Sequence, residues 1–114
     1  MSARWKDDKL SSGRVIKIKE LSIDEIDDCK DVARIVFDGD SLKSITGINK
    51  ARTNWIRKGT YGGNFKTWNG GDGTQIPDSA IREMNLKEQD ELMTKIQEAQ
   101  SLGEFKGIST NLTS

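Results

Sequence analysis

The chain has no histidine, one cysteine (Cys29) and one proline (Pro77) among its 114 residues. Without histidine there is no imidazole to titrate near neutrality, no Ser-His-Asp triad and no Cys/His zinc site. A lone cysteine rules out an intrachain disulfide. Long apolar runs are missing too. Nothing approaches the roughly 20 residues of a membrane-spanning helix, and the opening "MSARWKDDKL" has no apolar signal-peptide core. These absences predict a cytoplasmic protein (host-cell cytoplasm if the chain is viral) with no cofactor, no metal and no membrane partner. An enzyme on this chain would have to work with carboxylates and lysines.

Hydrophobic residues make up 33% of the chain and charged residues 32%, which places it among polar soluble domains. The length suits one domain, small enough for a partner to add useful stability. Net charge is zero, yet the charges are segregated. Residues 1–21 carry a net +3, residues 22–40 a net −5, residues 41–71 a net +6 without one acid, and residues 72–114 a net −4. Alternating blocks of this kind favour oriented association over a uniform field for one polyanion.

The first 13 residues read as a flexible polar arm ending in a turn. "RVIKIKEL" then alternates, with Val15, Lys17 and Lys19 on one side and Ile16, Ile18 and Leu21 mostly on the other, the pattern of a half-buried strand. "SIDE" follows, in which Ser22 caps a helix and Glu25 reaches back to the Ser22 amide. The spacing predicts that helix over 23–37, with Ile26, Cys29, Val32, Ala33, Val36 and Phe37 on its apolar stripe and aspartates opposite. Cys29 on that stripe reads as core filler rather than a reactive thiol. "DGD" at 38–40 reads as a turn and cap rather than a metal fragment.

A second helix is expected over 42–58, broken near Gly47. Residues 59–77, rich in Gly and Asn, read as a β-hairpin arm or a loop, with "NFKTW" as one strand and "NGGDG" turning the chain back through "TQI". Its glycines match neither phosphate-binding pattern. Asp78 is expected to cap "SAIREM", and Asn85 with Glu88 to cap a last helix carrying Leu92, Met93, Ile96 and Ala99 inward until Gly103 stops it. The Asn111 sequon lacks a secretory context and reads as coincidental. The fold class is therefore α+β: an N-terminal strand, amphipathic helices, a Gly-rich hairpin or loop and a C-terminal helix. One globular domain spans 14–105, and a flexible tail spans 106–114.

The stretch 49–68 concentrates five cations and four aromatics with no acid. On a helical projection Ile45, Ile48, Ala51 and Trp55 share one face, and Lys43, Lys50 and Arg57 lie opposite. Arg52 falls near the apolar stripe, where its stem can snorkel. A single-strand-binding surface wants cations beside aromatic platforms, whereas the helix separates them. The preferred role for the stretch is docking to another protein or to copies of the chain. Trp55, Phe65 and Trp68 would be anchors, Lys50, Arg52, Arg57 and Lys58 would set orientation, and Tyr61 and Lys66 would lie beside them. The alternative is a small nucleic-acid-binding protein using the basic 43–68 segment with Tyr61 and Trp68. A hydrolase built on Asp38, Asp40 and Asp72 ranks third, because nothing fixes two of them at catalytic separation.

The strand "GRVIKIKEL", the capped "SIDEIDDCKDVA" and the late "IPDSAIREMNLKEQDELMTKIQEA" together resemble small tail or baseplate assembly chaperones of tailed phages. The resemblance covers about 70 of the 114 residues. It does not extend to the Trp-bearing insert at 59–73. It implies a non-enzymatic viral protein that binds another phage protein, such as the tape measure or a baseplate component, and it carries over no catalytic residue.

Overall fold

The computed structural model describes the backbone of residues 4–37, 41–71, 74–103 and 105–107, and the side chains among these outside 32–48 and 106–107. The fold is α+β. Its described elements are β1 (Arg4–Lys9), β2 (Val15–Lys19), α1 (Ile23–Phe37), α2 (Ser41–Gly59), β3 (Thr60–Gly63), α3 (Asp78–Ile81), α4 (Leu86–Leu102) and the two-residue β4 (Lys106–Gly107). The strands form one antiparallel sheet in the order β3-β2-β1-β4.

The alternation of β2 decides which face is covered. Ile16 and Ile18 are fully buried under α2 and α4, while Val15, Lys17 and Lys19 face away. Ile56 of α2, Leu92 and Ile96 of α4, and Ile76 complete the centre of the core, each at 1% exposure or less. Burial of each such side chain stabilises the fold by roughly 1.5–3 kcal/mol. The inward stripe expected for α4 holds, with Leu92, Ile96 and Ala99 buried and Met93 packed against them. Of the stripe expected on α1, Cys29 is fully buried and Ile26 packs against the core; Val32, Ala33, Val36 and Phe37 lie outside the described side chains, as do Ile45 and Ile48 of α2.

Both expected capping boxes form. The Glu25 backbone N–H donates to Ser22 Oγ (3.1 Å), and the Ser22 N–H donates to Glu25 Oε1 (2.9 Å). The same reciprocal pair joins Asn85 and Glu88 at 2.8 and 3.2 Å. Each satisfies two backbone donors that a helix start otherwise leaves open. Gly103, at φ 76°, ends α4. Asp78 departs from expectation: Pro77 holds the cap position of α3, and the Asp78 carboxylate pairs instead with Arg57. α2 runs unbroken through Gly47, because one glycine costs a helix only about 1 kcal/mol. The 38–40 turn lies outside the described residues.

One other segment differs from the sequence reading. Residues 4–9, expected in a flexible arm, form β1, an inner strand of the sheet. Five of its six residues are charged, so no apolar alternation marks it. It is held by pairing with β2 at five positions and by side-chain contacts at its ends: Arg4 with Glu20 at 3.3 Å, and Asp8 with Lys95 of α4 at 3.4 Å. The 59–77 segment, read as a hairpin arm or a loop, is mostly loop over its described residues. The one strand among its described residues, β3, pairs with β2, and residues 69–71 fold back onto β3 through Gly63 N–H to Asn69 O (3.2 Å) and Gly71 N–H to Tyr61 O (3.0 Å). Gly62 and Gly70 cross backbone to backbone there. A Cβ on Gly70, whose φ is 100°, would lie 2.3 Å from the Gly62 Cα. In the tail, Lys106 and Gly107 pair with β1; 108–114 lie outside the described residues.

The close approach of α2 to α4 yields a test. A Cβ on Gly59 would sit 2.4 Å from Cγ2 of Ile96, which is fully buried and cannot retreat. Gly59→Ala should lower unfolding stability by about 1–3 kcal/mol, read as a lower urea midpoint with an unchanged slope.

Candidate binding surface

The face of the sheet away from α2 and α4 carries the most distinctive surface group. Antiparallel register sets Trp5 opposite Lys19, Asp7 opposite Lys17 and Lys9 opposite Val15, so all six share the outer face with the exposed side of β2. Tyr61 joins them from β3, next to the buried Thr60. The Trp5 and Tyr61 rings stack, with centroids 5.6 Å apart and planes 9° from parallel. Lys17 Nζ lies 4.7 Å from the Trp5 ring centroid, a cation–π contact. Lys19 Nζ reaches Glu25 Oε2 at 3.8 Å. Val15, 39% exposed, extends the apolar part of the patch.

The residues expected to bind a partner are dispersed. Trp55 and Phe65 are core residues at 5% and 4% exposure, so their rings have no surface to offer as anchors. The helical projection explains Trp55, which shares the buried side of α2 with Ala51. Arg52 is also buried; it donates to Asp90 Oδ1 of α4 at 2.7 Å and to the Asn49 side chain. Arg57 pairs with Asp78, and Lys58 with Asp28 of α1 at 3.2 Å. Three of the five expected cations thus meet acids of the same chain, while Lys50 and Lys66 are exposed. Trp68 is half-buried, 6.0 Å from Phe65. Only Tyr61 of the nine stands on the aromatic face. Trp5 and Lys17 were missed as site residues, although the outward lysines of "RVIKIK" were a usable signal once a neighbouring strand supplied the tryptophan. The carboxylates considered for hydrolysis, Asp38, Asp40 and Asp72, lie outside the described residues.

A second cluster sits where the β1–β2 turn meets the start of α4. Gly13, at φ 95°, shapes the turn, and the turn then donates to helix carboxylates. Ser11 gives its N–H and hydroxyl to Glu91, and Ser12 gives its hydroxyl to Glu88. Arg14 Nε donates to Glu88 Oε2 (3.1 Å), Arg14 Nη2 donates to the Glu83 carbonyl (3.3 Å), and the guanidinium lies 5.1 Å from the Phe65 ring centroid. The Glu83 carboxylate in turn accepts the Lys66 N–H (2.8 Å), the Thr67 N–H (3.1 Å) and the Thr67 hydroxyl (2.9 Å).

These contacts shift acidities. The Lys66 N–H, with Thr67 and the Arg14 charge, holds the Glu83 carboxyl below its ordinary value of 4.5. Burial pushes Glu88 up, but hydrogen bonds from Arg14, Ser12 and the Asn85 N–H outweigh it, and Glu88 also lies below 4.5. Burial drives the Cys29 thiol up to about 11, which leaves almost no thiolate at neutral pH and makes it a poor nucleophile. Among the described residues no three His, Cys, Asp or Glu side chains gather as a metal site would require, and no helix is long and apolar enough to cross a membrane.

Both glutamates bind protons more weakly folded than unfolded. Their stabilisation is complete above the unfolded value of 4.5 and is lost as pH falls through the lower folded values. Urea midpoints taken from about pH 6 to pH 3 should therefore fall more steeply for the native sequence than for the Glu83→Gln/Glu88→Gln variant. Parallel curves would show that the two carboxylates do not contribute this term.

Comparison with known proteins finds no matching family model, no matching curated protein and no matching solved structure.

Proposed function

We propose that the protein is a non-enzymatic binding factor that docks another protein through the outer face of its sheet, as an assembly factor does. The stacked Trp5–Tyr61 pair beside Lys17 carries this reading. Rings already packed together on a sheet lose little conformational freedom on binding, and Trp and Tyr supply much of the energy at protein interfaces. Lys17 lies against the Trp5 ring and Lys9 shares the same sheet face, and both would orient an acidic partner. The basic block expected to do so is engaged within the chain at Arg52, Arg57 and Lys58. In its narrowest form the proposal is a tail or baseplate assembly chaperone, supported by the resemblance in residues 13–21, 22–33 and 76–99.

The test is capture of a specific partner from the source cell, identified by mass spectrometry and then measured with the purified proteins. Trp5→Ala and Tyr61→Ala, checked for native circular dichroism, should each weaken that binding at least about tenfold, as loss of an interface anchor does. Native affinity in both variants would remove the sheet face from consideration.

A second reading, binding of single-stranded nucleic acid, is favoured by the same placement of two aromatics and a lysine on one sheet face. It predicts that fluorescently labelled single-stranded DNA or RNA binds at low salt, that Lys17→Glu abolishes the interaction and that affinity falls steeply as salt rises. No anisotropy change with either polymer at low salt eliminates it.

A further inference from the structure

The structure places the Glu83 carboxylate as a cross-chain latch on the 64–71 loop, and we infer that this loop is a strap able to open as a unit, uncovering Phe65 and Trp68 while the sheet and helices stay folded. The inference is independent of what the outer sheet face binds.

Four observations carry it. First, Glu83 reaches the loop from the α3–α4 connection and accepts three hydrogen bonds from two adjacent residues, Lys66 and Thr67. Such ionised contacts are the strong members of their class. Ser79 of α3 adds its hydroxyl to Thr67 Oγ1 at 3.1 Å. Secondly, the loop ends are fixed separately. Asn64 exchanges two bonds with Val15, each at 3.1 Å, and the Gly62–Gly70 crossing closes the other end. The stretch between is tied chiefly by Glu83 and by the two rings. Thirdly, the closed strap carries an internal opposition: the buried Trp68 Nε1 finds no hydrogen-bond partner among the described residues. Opening returns that N–H to water, so the latch holds closed what this desolvated donor works to open. Fourthly, the other groups facing the latch are few. Arg14 approaches Glu83 Oε1 at 3.8 Å and is shared with Glu88, and Arg82 and the Lys66 side chain are exposed.

Hydrogen exchange at neutral pH on Glu83→Ala, Glu83→Gln and Glu83→Asp tests the strap. The Lys66 and Thr67 amides should exchange about tenfold or more faster in Glu83→Ala, and by smaller factors in the other two, with β2 and α4 amides at native rates. Trypsin should then cut Glu83→Ala after Lys66 while the native protein resists there. Unchanged exchange at 66–67 overturns the latch. Faster exchange spread equally over β2 and α4 in all three variants overturns the strap, because the loop would then open only with the whole fold.

Discussion

The Arg14 guanidinium sits where three chain segments converge, and it ties the start of β2 to α4 and to the 64–71 loop. Its Nε meets Glu88 in the first turn of α4, Nη2 meets the Glu83 carbonyl, and the guanidinium covers Phe65. Arginine suits this place because its planar fork serves several acceptors at once while the same plane packs on an aromatic ring. The side chain is only 20% exposed and its Glu88 partner 12%, so removing either would take the nearest opposite charge from a largely desolvated group. Glu88 has a double duty there. One oxygen closes the capping box on Asn85, and the other receives the hairpin turn, so one carboxylate both caps the helix and seats the sheet.

The legible parts of this fold were those whose causes lie within a few residues. Ser22 with Glu25 and Asn85 with Glu88 announce helix starts because a capping box spans three residues. The Ile-Lys-Ile alternation of β2 announces its two faces because a strand has period two. Trp55 separates from Lys50 by helical geometry alone. β1 was illegible for the converse reason: its charged residues say nothing of burial, and its place comes from pairing with β2 and from Lys95 reaching Asp8 across 87 positions. The glycine at 70 read as part of a turn, yet its reason, with that of Gly62, is a crossing of two backbones that no composition reveals.

The candidate surface was hidden by the same mechanism. Trp5 and Tyr61 become neighbours only when β2 lies between their strands. The alternating charge blocks, which suggested oriented association, meet one another inside the molecule at three cations of the basic block. Arg52 meets Asp90, Arg57 meets Asp78 and Lys58 meets Asp28, each pair joining the basic block to an acidic one. The more exposed pairs, Arg57–Asp78 and Lys58–Asp28, add little stability, but all three penalise wrong packings of the helices by leaving like charges together. Charge segregation along this sequence thus helps to specify how its own helices fit.

The pairing of β1 with β4 has a consequence for how the molecule is made. Arg4 donates to the carbonyl of Phe105, a contact spanning 101 positions, and Trp5 stands beside Lys106. During vectorial synthesis the β1–β2 hairpin emerges before α2 and α4, which cover its apolar face, and before β4, which borders it. The nascent chain therefore carries Ile16 and Ile18 incompletely covered until α4 is made, and the β1–β4 pairing waits for residues 106–107.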